Sequence, residues 1–141
     1  MRRWGLLRCL VLLSLFVAAH GVIAGQTQHA STPPGVTVVT DQTVGQVNLK
    51  VGAMLEVRLE ANHTTGYSWI AAPVANPVLV RQAAAKYEEH PAGGKAGVGG
   101  VEIWRFKAMK AGRQGLQFEY RRPWEKGVPA AKIVTFSVSV Q

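Results

Sequence analysis

The chain has 141 residues, of which 48% are hydrophobic, and a formal net charge of +8. This length suits one domain with a single hydrophobic core. The positive charge favours acidic partners, but the basic residues are scattered along the chain, so the composition does not indicate a nucleic-acid-binding protein.

The first 24 residues have the pattern of a secretory signal peptide. Arg2 and Arg3 begin it, an apolar run follows over residues 10–19, and Val22 and Ala24 occupy the positions that a signal peptidase reads. The run is shorter than the roughly 20 residues that a bilayer span needs. We therefore expect cleavage after Ala24, with Ala19 as the alternative, and an exported protein that is periplasmic or secreted.

The single cysteine, Cys9, lies inside this predicted signal. The mature chain would then have neither a disulfide nor a thiolate nucleophile, although disulfides persist in exported proteins. Its stability must come from the hydrophobic core. Residues 25–35 are polar and rich in Pro and Gly, which indicates a flexible N-terminal arm before a domain over residues 36–141.

Short strands dominate the predicted domain. Apolar and polar side chains alternate in residues 54–60, 116–121 and 134–140, and a period of two is typical of strands with one buried face. Further strands are expected at residues 36–40, 46–51, 67–71 and 101–109, the last one buried on both faces.

Residues 78–89 contain an alanine run that is compatible with a helix. We favour two strands here, one ending near Gln82 and one starting near Ala84. Seven or eight short strands separated by turn signals predict an all-β, antiparallel, immunoglobulin-like sandwich without a disulfide.

The sequence shows no machinery for catalysis. The histidines, His20, His29, His63 and His90, have no second ligand at a metal-binding spacing. No nucleophile elbow, phosphate-binding loop or nucleotide fingerprint is present either. We therefore expect a protein that is not an enzyme and uses no metal or cofactor.

Three loops have compositions that turns alone do not require. The first loop (residues 62–67) combines Asn and Gly with two Thr hydroxyls that can bond to its backbone. The glycine loop (residues 91–100) exposes main-chain groups to a partner. The tryptophan loop (residues 121–127) places Trp124 beside a proline, and Trp and Arg are enriched at binding hot spots.

Each loop also has a plain interpretation: an ordinary strand connection, a floppy link, or a tryptophan that folds back onto the core. In a sandwich of this strand order, however, alternate connections lie at the same end. The three loops are therefore expected to form one continuous edge.

These loops carry a resemblance to a known family. The sequence resembles the chagasin-type inhibitors of papain-like cysteine peptidases, whose pattern is Asn-Pro-Thr-Thr-Gly-Tyr, then Gly-x-Gly-Gly, then Arg-Pro-Trp. The likeness spans about residues 36–141. The matching residues, which are the candidate peptidase-binding residues, are Asn62, His63, Thr64, Thr65, Gly66, Tyr67, Gly97, Val98, Gly99, Gly100, Arg122, Pro123 and Trp124.

The resemblance implies a reversible, tight-binding inhibitor that plugs the active-site cleft of a papain-like cysteine peptidase. Thr64, Thr65 and Gly66 would reach the region of the catalytic cysteine. The glycine loop would lie along the substrate groove, and Trp124 would pack on the other side of the cleft. The partner would be the peptidase, with no nucleic acid or membrane, and the inhibitor would be a monomer.

One residue departs from the family pattern. His63 stands where the family usually has proline, and the loss of proline's fixed turn is expected to loosen the first loop. Asn62, His63 and Thr64 also form a glycosylation sequon, where a sugar would obstruct the site. Two other functions stay open at this point: a periplasmic carbohydrate-binding module with exposed Trp and Tyr, and a structural β-sandwich domain.

Overall fold

The structure, a computed structural model, describes residues 35–91 and 97–141. The predicted signal peptide (residues 1–24) and all but the last residue of the predicted arm lie outside the described residues, so those boundaries stay predictions. The described part contains nine strands and one short 3-10 turn, His63–Thr65. The strands are β1 Val36–Thr40, β2 Gln46–Leu49, β3 Met54–Ala61, β4 Ser68–Ala71, β5 Leu79–Arg81, β6 Lys86–Glu89, β7 Gly100–Ala108, β8 Gly112–Arg121 and β9 Lys132–Val140.

The strands form two sheets. The first sheet has the order β1-β3-β7-β5, with β6 also paired to β7, and the second sheet has the order β2-β9-β8-β4. The predicted all-β sandwich without a disulfide is confirmed. The ambiguous segment at residues 78–89 is two strands, because β5 pairs with one half of β7 and β6 with the other.

Two details of the architecture differ from the prediction. There are nine strands in the described residues rather than seven or eight, and the pairings β1–β3 and β2–β9 are parallel, while the other five are antiparallel. The pair β1–β3 can be parallel because the chain crosses to the second sheet as β2 before it returns as β3. Alternation in a sequence reports which face a side chain occupies and carries no information on strand direction.

The core lies between the sheets and is centred on Phe118, which is fully buried. Its ring makes edge-to-face contacts with Trp104, Phe106 and Phe136, at centroid distances of 5.3, 6.2 and 6.1 Å. Edge-to-face pairs at such distances are favourable beyond the burial of their area. This cluster joins the two sheets, because Phe118 and Phe136 belong to the second and Trp104 and Phe106 to the first.

Strand pairing brings the three loops to one end of the sandwich. In the first sheet, Ala61 at the end of β3 is opposite Gly100 at the start of β7. In the second sheet, Ser68 at the start of β4 is opposite Arg121 at the end of β8. The first loop leaves β3 and enters β4, so it connects the two sheets directly above both pairs.

The Phe118 cluster generates a stability prediction. Phe118→Ala should lower the free energy of unfolding by about 3–5 kcal/mol, because it leaves a cavity among three aromatic rings. Gly115→Ala on the same strand is the control. A Cβ at Gly115 would meet no described atom within 4 Å, so its effect should stay below about 1 kcal/mol. Denaturant unfolding measures both values, and equal effects would contradict the assignment of Phe118 to the centre of the core.

Candidate functional site

The first loop is a compact turn held by its own polar groups. The Asn62 side chain accepts hydrogen bonds from the Thr64 N–H at 3.1 Å and from the Thr64 hydroxyl at 2.6 Å. The Thr65 hydroxyl donates to the Asn62 carbonyl at 2.6 Å. Gly66 closes the turn in the left-handed region, at φ 79°. The Thr65 hydroxyl therefore bonds to the loop backbone as predicted, whereas the Thr64 hydroxyl bonds to the Asn62 side chain. Thr64 and Thr65 remain exposed.

The glycine loop is bonded to the first loop. The Asn62 amide group donates from Nδ2 to the carbonyl of Gly97 at 3.1 Å, and the neighbouring Val98 is 43% exposed. Gly100 lies deeper than expected for a contact residue, since it is buried at the start of β7. A Cβ there would lie 2.3 Å from the carbonyl oxygen of Glu88, so Gly100 allows β6 and β7 to approach each other.

The tryptophan loop is bonded to the first loop from the opposite side. Arg122 donates from Nε to the carbonyl of Thr65 at 3.1 Å, and its guanidinium lies 4.7 Å from the centre of the Tyr67 ring. A second guanidinium nitrogen pairs with Glu125 at 3.1 Å. Arg122 is therefore a bridge between two loops, and Pro123 and Trp124 follow it exposed to solvent.

Trp124 is the most exposed aromatic side chain in the described residues, at 65%. It does not fold back onto the core. Its ring lies instead against the first loop, because a Cβ built on Gly66 would be 2.5 Å from Cη2 of Trp124 and 2.9 Å from Cζ2. Because Gly66 has no side chain, the indole ring of Trp124 can lie directly against its backbone. We call this contact the seat of Trp124.

The three loops thus form one edge, as expected from the order of the strands. The first loop is at its centre, with the glycine loop bonded through Asn62 and the tryptophan loop through Arg122. This edge presents exposed hydroxyls, main-chain groups and one indole ring. Within residues 35–91 and 97–141, no cluster of His, Cys, Asp and Glu could hold a metal ion. No helix in those ranges is long and apolar enough to cross a membrane.

Three residues that support the edge were not singled out in the sequence. Tyr120 accepts a hydrogen bond from the Asn62 N–H at 2.8 Å and stacks on Tyr67 at 5.2 Å. Glu102 and Tyr87 contact His63, at 2.7 Å from the carboxylate and 3.9 Å between ring centres. Tyr120 ends an alternating strand on its inward face, which was the available signal for its role. Glu102 gave none, because a glutamate in a strand normally faces solvent.

Comparison with known proteins identifies the family. The family model described as Chagasin family peptidase inhibitor I42 matches residues 48–140. The chain belongs to this family. The predicted resemblance is confirmed, and the protein is a peptidase inhibitor rather than an enzyme. Neither the carbohydrate-binding nor the structural interpretation is favoured by this membership.

Similar proteins agree with the assignment. Amoebiasin-2 of Entamoeba histolytica is 26% identical over 112 residues, which are 79% of this chain and 90% of the relative. The crystal structure of a cysteine protease inhibitor from Entamoeba histolytica has the same fold, with a TM-score of 0.64, 20% identity and coverage of 75% and 95% of the two chains. The solution structure of Amebosin has a TM-score of 0.58 and 28% identity, with coverage of 77% of this chain and 99% of Amebosin.

The seat of Trp124 generates a prediction on local structure. Gly66→Ala should displace the indole ring, since the new Cβ would overlap it. Gly52→Ala is the matched control, because Gly52 also has positive φ, at 88°, but a Cβ there meets no described atom within 4 Å. Each change should cost about 1 kcal/mol of stability through the left-handed backbone.

Indole N–H resonances distinguish the two variants. In Gly66→Ala the signal of Trp124 should move while those of Trp69 and Trp104 stay, and in Gly52→Ala all three should stay. An unmoved Trp124 signal in Gly66→Ala would show that the ring does not rest on this glycine.

Proposed function

We propose that this member of the chagasin family inhibits papain-like cysteine peptidases reversibly by inserting the three-loop edge into the active-site cleft. The observation that carries the proposal is the bonding of all three loops into one edge, with Thr64, Thr65 and Trp124 exposed on it. One of the structures that share the fold is itself a cysteine protease inhibitor. The peptidase-binding residues are those of the three motifs apart from Gly100, which is buried at the start of β7.

The shape of the first loop explains how it can block a cleft without acting as a substrate. The N–H groups of Thr65 and Gly66 donate inside the turn, to Asn62 and His63, and Gly66 is left-handed. A bound substrate strand is extended and offers its main-chain groups to the protein that binds it. The loop offers hydroxyls and a tight turn instead, so it fills the cleft in a conformation that is unlike a substrate.

The preformed edge also favours tight binding. Loops that are already bonded to each other lose little conformational freedom when a partner binds, and that ordering cost is one of the main terms opposing association. In the described part of the edge, residues 62–67, 97–100 and 121–127, there is no cysteine, and the groups expected to meet the peptidase are hydroxyls, main-chain amides and an indole. Binding by shape and hydrogen bonds, with no covalent step, accounts for reversible inhibition.

The test is a steady-state inhibition assay of residues 25–141. The targets are papain and a cathepsin L-type peptidase, and a serine peptidase is the control. We expect reversible inhibition of the cysteine peptidases alone. No inhibition at micromolar concentration, from protein shown to be folded, would refute the proposed function.

Trp124→Ala should weaken inhibition about 30- to 800-fold, because an exposed indole at an interface contributes about 2–4 kcal/mol. Met109→Ala is the matched control, since Met109 is also a large apolar residue, 52% exposed, in the turn between β7 and β8 at the opposite end of the sandwich. That control should stay within about twofold of the parent protein. A loss below threefold for Trp124→Ala would remove Trp124 from the binding surface.

We also propose that the protein is exported as a monomer, with residues 1–24 removed. The basic start, the short apolar run and the small residues before Gly25 support this. Expression of the full chain in a bacterial host should give a periplasmic or secreted product whose N-terminal residue is Gly25. Light scattering should give the mass of one copy. A product that retains Met1 in the cytoplasm would contradict the export proposal.

A further inference from the structure

The carboxylate of Glu102 lies in the core position of a strand. Its backbone pairs with Leu59 on β3 and with Tyr87 on β6, and the whole residue is 3% exposed. Burying a carboxylate is costly unless hydrogen bonds replace its water. The residue must therefore have partners that compensate for this cost, and its partners reveal what it does.

Both partners of Glu102 belong to the first loop or its exit. The backbone N–H of Trp69, the second residue of β4, donates to Oε1 at 3.0 Å. Nε2 of His63, at the start of the 3-10 turn, lies 2.7 Å from the same oxygen. One buried oxygen therefore joins the chain entering the loop to the chain leaving it. Among the described residues, His63 is the one basic side chain within ion-pair distance of Glu102.

The ring of His63 is held from a second direction. It stacks on the ring of Tyr87, with centroids 3.9 Å apart and planes 16° from parallel. A ring fixed by a hydrogen bond along its edge and by stacking on its face has little freedom left. Because His63 is the first residue of the turn, fixing its side chain also fixes the backbone from which the exposed threonines project.

We propose that His63 and Glu102 are a pair of positioning residues that hold the first loop in its peptidase-binding conformation. His63 replaces the fixed φ of a proline with a side-chain anchor in the core, and Glu102 is the acceptor of that anchor. An ionised carboxylate can only accept hydrogen bonds, so the pair requires a proton on Nε2 of His63. On this proposal, His63 tightens the first loop instead of loosening it. The inference rests on the proposed function for its effect on binding, but not for the existence of the pair.

The experiment compares His63→Ala with His90→Ala. His90 is a matched control, because its Nε2 also lies 2.8 Å from a carboxylate oxygen, that of Glu60, and its side chain is 41% exposed, as is that of His63. The Glu60 side chain is 58% exposed, however, whereas that of Glu102 is 4% exposed. His63→Ala should raise the inhibition constant about tenfold, the value for losing a hydrogen bond to a buried charge. His90→Ala should change it less than about twofold.

Rescue separates positioning from a direct contact with the peptidase. Proline is tolerated at the first position of a helical turn, so His63→Pro should recover most of the affinity that His63→Ala loses. Glu102→Gln keeps an acceptor for the Trp69 N–H but removes the charge. In the protein that retains His63, Glu102→Gln should weaken inhibition several-fold. In the His63→Pro variant the same change should weaken it less than about twofold, because no imidazole is present to bond to residue 102.

A spectroscopic readout keeps this inference separate from the proposed function. In the free protein, the nitrogen resonances of His63 should show the proton on Nε2, and Glu102→Gln should shift them. If the protein inhibits no peptidase but the His63 resonances show the proton on Nε2 and shift in Glu102→Gln, the proposed function is wrong and the His63–Glu102 pair is supported. If the protein inhibits and His63→Ala matches the parent within twofold, or the proton is on Nδ1, the positioning pair is wrong.

Discussion

Asn62 is the residue on which the first loop depends, because its polar groups hold the turn and connect it to the glycine loop and to the second sheet. The backbone N–H donates to Tyr120 in the second sheet, and the side-chain amide donates to the glycine loop. The side-chain oxygen and the carbonyl accept from Thr64 and Thr65. A residue with donors and acceptors on both backbone and side chain is needed here, and Asn supplies all four kinds. Replacing its side chain with an apolar one would remove the bonds to Thr64 and the link to the glycine loop, while the backbone bonds to Tyr120 and Thr65 would remain.

Arg122 plays the corresponding role on the other side of the first loop. A guanidinium can donate hydrogen bonds in its plane and stack through its face, and Arg122 does both, with the Thr65 carbonyl, Glu125 and the Tyr67 ring. Trp124 then has a defined place above Gly66. The position of the indole ring therefore depends on Gly66. The turn that contains Gly66 depends in turn on the hydrogen bonds made by Asn62 and Glu102.

A structural feature could be predicted from the sequence where it produces a repeating pattern of apolar and polar residues. The strands β3, β8 and β9 were predictable because each has one buried face, and the common location of the loops followed from the connection order of a sandwich. The parallel pairing of β1 with β3 and of β2 with β9 was not predictable. Edge strands of four or five residues carry no signal for strand direction. Nor was the seat of Trp124 on Gly66, because a contact between two loops has no period.

Glu102 shows a different limit. The failure of residues 101–109 to alternate cleanly was visible, and burial on both faces holds for the start of β7, where Glu102, Ile103 and Trp104 are buried in succession. What could not be read was that the glutamate faces inward, because a buried carboxylate becomes acceptable only when two specific partners arrive from another strand and a loop. Such a residue is recognised by its environment in three dimensions and not by its neighbours in sequence.

The double attachment of the first loop to Glu102 has a consequence for proteolytic damage. His63 and Trp69 both meet the same buried oxygen, and they lie on either side of the exposed threonines. If a peptidase hydrolysed the bond between Thr64 and Thr65, both new termini would remain tethered to the core within a few residues of the cut. The clipped loop would stay near its original place, so a single cut would not by itself separate the three loops from one another.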